Sequence, residues 1–197
     1  MAKSVKKSIT YFEEAGGENT EAVIEIVIER LKEGDIKSVV VASTSGATGV
    51  RFAKALGKKT KLVVVSTKPG LKKPGVWDFD PKNEKEIEKL GGKVLKATHV
   101  LSGLERSFTD KFSGISHSEI LAESLKTLFS PGTKVVVEIA IMALDSGEIS
   151  PGKTIVIGGT GAKGRGADTA AVVLPAYSNN FFDFHILELL AKPYTND

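Results

Sequence analysis

The sequence of 197 residues contains no cysteine and no glutamine, and it has only two methionines and one tryptophan. The absence of cysteine excludes disulfide bonds, thiolate nucleophiles and cysteine-based metal sites. It also favours a cytoplasmic location, because the reducing conditions there make disulfides rare. The absence of glutamine, a thermolabile residue, is typical of proteins from heat-adapted organisms.

Long apolar runs are missing too. No stretch reaches the roughly 18 residues that a membrane-spanning helix needs, and no apolar segment follows the N-terminal lysines as a secretory signal requires. The net charge of +3 is too small to indicate a nucleic-acid partner. Lysines cluster between residues 58 and 73, where they form either a solvated face or a patch that steers a phosphorylated ligand.

Strand-like and helix-like segments alternate along the chain, with no repeat or long linker. Strands are predicted at 9–12, 39–41, 61–67, 94–97, 154–157, 169–174 and 184–192, and helices at 20–34, 47–56, 81–90, 116–128 and 135–147. This order predicts a single α/β domain over residues 1–197, with a layered, mostly parallel sheet and helices on both faces.

Three segments allow more than one interpretation. Residues 99–115 are predicted to be a long loop, which often has a function. Residues 135–147 are ambiguous between strand and helix, and we predict a helix capped by Thr133. The tail at 184–192 is a helix or an edge strand, and its alternating apolar residues favour a strand.

The stretch 36–56 combines a β-branched strand, a small-residue loop and an amphipathic helix that ends at Gly57. Such a loop leaves backbone N–H groups unpaired at the positive end of a helix dipole, which suits a phosphate. The alternative is an ordinary turn in which Ser45 caps the helix. If the phosphate interpretation holds, Gly46→Asp is expected to abolish binding and leave the fold intact.

A second glycine-rich loop, GGTGAKGRGADT at 158–169, follows the predicted strand at 154–157. Its glycines match the dinucleotide-binding fingerprint, but that fingerprint requires a helix directly after the loop, and residues 170–174 are predicted to be a strand. The loop is therefore either a mobile connection without a ligand or an anion clamp. In the clamp, Thr160, Lys163 and Arg165 surround a phosphate.

Loops that leave the carboxyl ends of parallel strands lie along one edge of the sheet, where ligands bind. Four loops share that edge, at 43–48, 67–68, 99–103 and 158–169. Their candidate binding residues are Ser43, Thr44, Ser45, Gly46, Ala47, Thr48, Thr67, His99, Ser102, Gly103, Gly159, Thr160, Asp168 and Thr169. The three histidines show no metal-ligand spacing, and no residue is marked as catalytic.

Several motifs resemble a known family. They are YFEEAGGENTE from Tyr11, VVASTSGAT from Val40, HVLSGLERS from His99, VEIAIMALDSG from Val137, GADTA from Gly166 and NNFFD from Asn179. The sequence resembles the C-terminal α/β domain of pyruvate kinase, and more closely the stand-alone, mainly archaeal proteins that are similar to that domain. The resemblance spans nearly the whole chain.

This resemblance implies the pyruvate kinase C-terminal-domain fold and a site for flavin mononucleotide (FMN), with its phosphate at residues 43–48. It implies no pyruvate kinase activity, because the family lacks the catalytic barrel. The insertion-like AKGR segment at 162–165 makes the second glycine-rich loop longer than is expected for the family. The alternatives are an FMN-dependent oxidoreductase and a non-catalytic module that senses a phosphosugar or docks on a partner; a homo-oligomer is compatible with each.

Overall fold

A computed structural model describes residues 3–161 and 164–195. These residues contain seven strands: β1 (Thr10–Phe12), β2 (Ser38–Ala42), β3 (Leu62–Ser66), β4 (Lys93–Lys96), β5 (Thr154–Gly158), β6 (Thr169–Leu174) and β7 (His185–Pro193). Six α-helices accompany them: α1 (Thr20–Leu31), α2 (Ala47–Leu56), α3 (Pro81–Lys89), α4 (Leu104–Phe112), α5 (His117–Leu128) and α6 (Pro131–Asp145).

The strands form one sheet in the order β1-β7-β6-β5-β2-β3-β4. Strand β6 is antiparallel to both of its neighbours, and every other pair of neighbouring strands is parallel. The carboxyl ends of β2, β3, β4 and β5 therefore share one edge. The prediction of an α/β domain with a mostly parallel sheet is confirmed.

Side chains of the central strands point alternately to the two faces of the sheet, and those on each face pack into an apolar layer. Val39 and Val41 of β2 pack with α1, α2 and α3, whereas Val40 packs with α6 on the opposite face. Both faces are covered, so the central strands are continuous apolar runs. Helix α5 lies outside α6, where Ala122 meets Val137 and contributes to a third apolar cluster.

Three local predictions were wrong in detail. The expected loop at 99–115 contains helix α4, whose apolar residues recur every fourth position. Helix α6 begins one turn earlier than expected, because the Ser130 side chain, and not that of Thr133, accepts from the Thr133 N–H. The tail is a strand, but β7 lies between β1 and β6 and is not at the edge.

The other boundaries follow local chemistry that the sequence displays. Asp80 caps α3 ahead of Pro81, and Ser116 with Glu119 forms the predicted capping box of α5. Strand β6 directly follows the glycine-rich loop, which confirms the prediction of a strand there. In the part of the chain that is described, no helix has the length and apolar character needed to cross a membrane.

Candidate functional site

A cavity of about 190 Å³ opens at the shared carboxyl edge of β2, β3 and β5. It is lined by parts of all four predicted loops and by one side of α6. The predicted residues among its lining are Ser43, Thr44, Ser45, Ala47, Thr48, Thr67, His99 and Gly159. The edge of the sheet therefore assembles eight of the fourteen candidate residues around one space.

The loop between β2 and α2 presents unpaired backbone donors to this cavity. The backbone N–H groups of residues 44–48 have no hydrogen-bond acceptor among the described residues, whereas the Gly49 N–H donates to Ser43 Oγ at 3.2 Å. Helix α2 has 10 residues, and its first turn carries no acidic side chain. Since the helix dipole is positive at this end, the unpaired N–H groups are suited to an anion.

Gly46 is the residue before α2, and its φ of +89° lies in the left-handed region. A Cβ atom there would fall 2.6 Å from Asn83 Cβ and 2.7 Å from Phe79 Cε1. The expectation that Gly46→Asp leaves the fold intact is wrong, because the new side chain would be driven into α3 and Phe79. The Ser45 side chain makes no cap either, although its carbonyl accepts from Asp80 N–H and from the Asn83 side chain.

The second glycine loop is held in place by Asp168, which is 1% exposed. One oxygen of its carboxylate accepts from Gly16 N–H, Thr160 N–H and the Thr160 hydroxyl, at 3.1, 3.1 and 2.9 Å. The other oxygen accepts from the Thr169 hydroxyl at 2.8 Å. Asp168, Thr160 and Thr169 thus bind one another and the loop after β1, and they do not line the cavity.

Close backbone contacts bring this loop to the cavity. A Cβ atom on Gly159 would fall 2.1 Å from the Gly166 carbonyl oxygen, and one on Gly166 would fall 2.4 Å from Gly17 Cα. The exposed Arg165 side chain lines the cavity, and among the described residues no carboxylate forms an ion pair with it. Lys163, the other predicted cation of the clamp, lies outside the described residues.

Glu138, in the middle of α6, is the charged residue of this site that the sequence analysis missed. Its side chain is 3% exposed and accepts from the Lys134 ammonium at 2.5 Å and from Leu101 N–H at 3.1 Å. Burial would raise the pKa of this carboxyl, but its contacts with His99 and the charge of Lys134 outweigh burial and hold the pKa at about 2. A lone acid within the apolar run VVVEIAIMAL was the available signal.

Two buried polar atoms in the lining have no hydrogen-bond partner within residues 3–161 and 164–195. His99 Nδ1 faces Glu138 Oε2 at 3.4 Å, but His99 Nε2 is buried and unbonded. The Thr67 hydroxyl is likewise buried without a partner, while the carbonyl of the same residue accepts from the Trp77 indole N–H at 3.0 Å. Because buried polar groups are nearly always hydrogen-bonded, each of these two atoms is a candidate contact for a polar ligand group.

The two remaining candidates belong to the neighbouring surface. Gly103 precedes α4, and Ser102 donates to Glu138 Oε1 at 3.3 Å behind the cavity wall. Ser102 also lines a larger groove of about 720 Å³ between α4 and α5. That groove includes none of the unpaired N–H groups of residues 44–48, so the smaller cavity is the better candidate site.

No model of a known protein family matches this chain. Within residues 3–161 and 164–195, no cluster of three or more histidine and acidic side chains has an arrangement that holds a metal ion. The candidate site is therefore interpreted from its own geometry: unpaired amides at one end, an arginine at the rim, and two unpartnered polar atoms in the wall.

Proposed function

We propose that this protein binds a phosphorylated ligand, with FMN as the expected cofactor, in the cavity at the carboxyl edge of the sheet. The phosphate would lie at the start of α2, where residues 44–48 offer unpaired N–H groups. The Arg165 guanidinium at the rim would add a bidentate partner. The proposal includes the fold of the pyruvate kinase C-terminal domain, without pyruvate kinase activity.

The observation that carries this proposal is the convergence of polar groups that have no hydrogen-bond partner. One cavity is lined by Thr44, Ser45, Ala47 and Thr48, whose backbone N–H groups have no acceptor among the described residues. The same cavity is lined by Thr67 and His99, whose hydroxyl and Nε2 atoms also lack a partner there. Unpaired buried donors and acceptors cost stability unless a ligand or water satisfies them. An anionic ligand with further polar groups satisfies this set.

The lining fits FMN in chemistry and partly in size. Opposite the donors, α6 contributes the apolar side chains of Val135, Ile139 and Met142. This mixture of a few polar groups with an apolar wall is typical of cofactor sites. The volume of about 190 Å³ is below the range of about 300–1,000 Å³ common for such sites. We therefore propose that only the polar end of FMN enters the cavity.

Binding is a better-supported function than catalysis. When bound, a flavin supplies reversible hydride and electron transfer. An oxidoreductase also needs a place for the molecule that reduces the flavin, and none of the described residues marks one. In this proposal the residues of the cavity bind and orient a ligand: residues 44–48 would hold the phosphate, and Glu138 orients the His99 ring.

The test is the absorption spectrum of the purified protein, followed by calorimetric titration of the flavin-free protein with FMN and with riboflavin. Riboflavin is the matched ligand, because it lacks only the phosphate. We expect FMN to bind at least tenfold more tightly, since hydrogen bonds to a charged group contribute about 1.5–3 kcal/mol. Equal affinity for the two, or no binding of FMN, would contradict the proposal.

We include self-association in the proposal, because α4 has an exposed apolar stripe. Leu104, Phe108 and Phe112 lie on one face of this helix and are 71%, 55% and 68% exposed. Size-exclusion chromatography with light scattering tests this, with Phe108→Lys expected to give monomers. A wild-type monomer at all concentrations would contradict it. The cytoplasmic location and the lack of a nucleic-acid partner remain expectations.

A further inference from the structure

His99 and Thr67 line the cavity, and their Nε2 and Oγ1 atoms are buried and have no partner in the described part of the chain. We propose that they form a subsite for a hydroxyl group, so that the ligand of this cavity is the phosphate ester of a polyol. Ribityl phosphate, either free or as part of a flavin, belongs to this class. The inference rests on the proposed function, because it assigns the part of the ligand next to the phosphate.

The orientation of His99 determines what this subsite accepts. Its Nδ1 faces the buried carboxylate of Glu138. This carboxylate also accepts hydrogen bonds from Leu101 N–H, the Ser102 hydroxyl and the Lys134 ammonium. A carboxylate held in this way keeps the proton of a neutral imidazole on Nδ1 and leaves the lone pair on Nε2. His99 therefore presents an acceptor to the cavity, and it needs an O–H or N–H from the ligand.

Thr67 is the second residue of the proposed hydroxyl subsite, and its hydroxyl complements the acceptor of His99. Its carbonyl accepts from the Trp77 indole N–H, which fixes the residue, while no described residue forms a hydrogen bond with its hydroxyl. A threonine hydroxyl can donate one hydrogen bond and accept others. Hydroxyl groups on the ligand can donate to His99 Nε2 and accept from Thr67 Oγ1, whereas an apolar group satisfies neither atom.

The distance from the phosphate favours a hydroxyl on the ester chain itself. Thr67 follows β3, which is paired directly with β2, the strand that leads into residues 43–48. Neighbouring strands are about 4.8 Å apart. The proposed subsite is therefore next to the proposed phosphate position, and in a cavity of about 190 Å³ we expect the nearby hydroxyls to be those of the chain that carries the phosphate.

The experiment compares ribitol 5-phosphate with n-pentyl phosphate, which has the same number of carbons and no free hydroxyl. Calorimetry on the full chain should show ribitol 5-phosphate binding about tenfold more tightly, as expected for two neutral hydrogen bonds. Thr67→Val and His99→Phe keep the approximate shape of each side chain. Each should reduce the ratio of the two affinities to about threefold or less, with folding checked by circular dichroism.

The outcomes separate this inference from the proposed function. If both phosphates bind wild-type protein equally, or if neither variant changes the ratio, the hydroxyl subsite is wrong while the phosphate site stands. If neither phosphate binds, both proposals fail. Lumiflavin, which has the ring imide but no polyol, is a further test ligand. If His99→Phe weakens the binding of lumiflavin and leaves the preference for ribitol 5-phosphate unchanged, the subsite binds an imide and the inference is overturned.

Glu138 acts through His99 as a positioning residue, and nitrogen-15 NMR reports that role directly. In wild-type protein at pH 8, the His99 Nε2 resonance should have the shift of an unprotonated ring nitrogen. In Glu138→Gln the two tautomers should become mixed and the resonance should move. A wild-type spectrum with the proton on Nε2 would overturn the assignment of His99 as an acceptor.

Discussion

Gly46 lies so close to Phe79 that a methyl group on Gly46 would fall 2.7 Å from the Cε1 and Cζ atoms of the ring. Phe79 stacks in turn on Trp77, with ring centroids 4.7 Å apart. The start of α2 is thus packed from behind by aromatic rings, while its N–H groups remain open to the cavity. Position 46 belongs to the packed side, although it lies within the predicted phosphate loop.

We therefore expect Gly46→Ala to destabilise the protein by about 2–4 kcal/mol, through left-handed strain and overpacking against Phe79. Gly34→Ala is the matched control, because Gly34 also has a positive φ of +78° but a Cβ atom there would meet no other atom within 4 Å. That control should lose only about 1 kcal/mol. Urea unfolding measures both, and equal losses would show that contact with Phe79 adds nothing.

Ala47 allows a cleaner test of the anion site. It is exposed at the first position of α2 and lines the cavity. In Ala47→Asp, a carboxylate favours the helix dipole but repels a phosphate, so affinity for FMN should fall at least about tenfold while the melting temperature stays the same or rises.

The neutral variant Ala47→Asn is the control for side-chain size. If Asn and Asp weaken FMN equally, the effect is steric and the charge argument is wrong. If neither changes the affinity, then no anion lies at the start of α2. Titration of both variants with FMN at low and moderate salt separates these results, because salt screens only the charge effect.

The sequence predicted the fold where local patterns decide it. The strands at 39–41 and 62–66 are β-branched runs, and Asp80-Pro81 and Ser116–Glu119 are strong helix starts. Helix α4 was not predicted because its segment is polar and flanked by glycines, although Leu104, Phe108 and Phe112 have helical spacing. The pairing of β1 with β7 depends on contacts distant in sequence, which no local pattern records.

The site was predictable to a similar extent. The topology of parallel strands predicted which loops meet, and residues 43–48, Thr67, His99 and Gly159 do line one cavity. The individual contacts depend on packing, which a linear pattern does not show. Asp168 therefore proved to bind its own loop, and Glu138 on α6 reached the site from the other face of the sheet.

Trp77 should report binding by fluorescence. It is the only tryptophan, and its indole N–H donates to the carbonyl of Thr67 in the cavity wall. FMN in the cavity would lie within range for energy transfer, so saturating FMN should quench most of the emission of Trp77. Ala47→Asp should show little quenching at the same concentration. Quenching of equal size in both proteins would place the flavin elsewhere.

Stability in acid should depend on the buried Arg30, which is 5% exposed and forms ion pairs with Asp35 and Glu188 at 2.7 and 2.8 Å. The hydrogen bond from Arg30, and then that from Lys153, holds the pKa of the Asp35 carboxyl well below its usual range. A lowered pKa in the folded state means that the ionised form stabilises the fold at neutral pH. This contribution is complete above the unfolded pKa of about 3.9 and is lost as the pH falls towards the folded value.

Asp35→Asn tests this dependence. The difference in the free energy of unfolding between wild type and Asp35→Asn should be constant from pH 8 to about pH 5 and should narrow below about pH 4, because the wild-type carboxylate then begins to take up a proton in the unfolded state. Asp110→Asn, at an exposed position on α4, is the control and should show a smaller change. Urea unfolding at each pH measures both differences. A gap for Asp35→Asn that widens in acid would reverse the sign of the argument and show that the ion pair with Arg30 does not stabilise the fold.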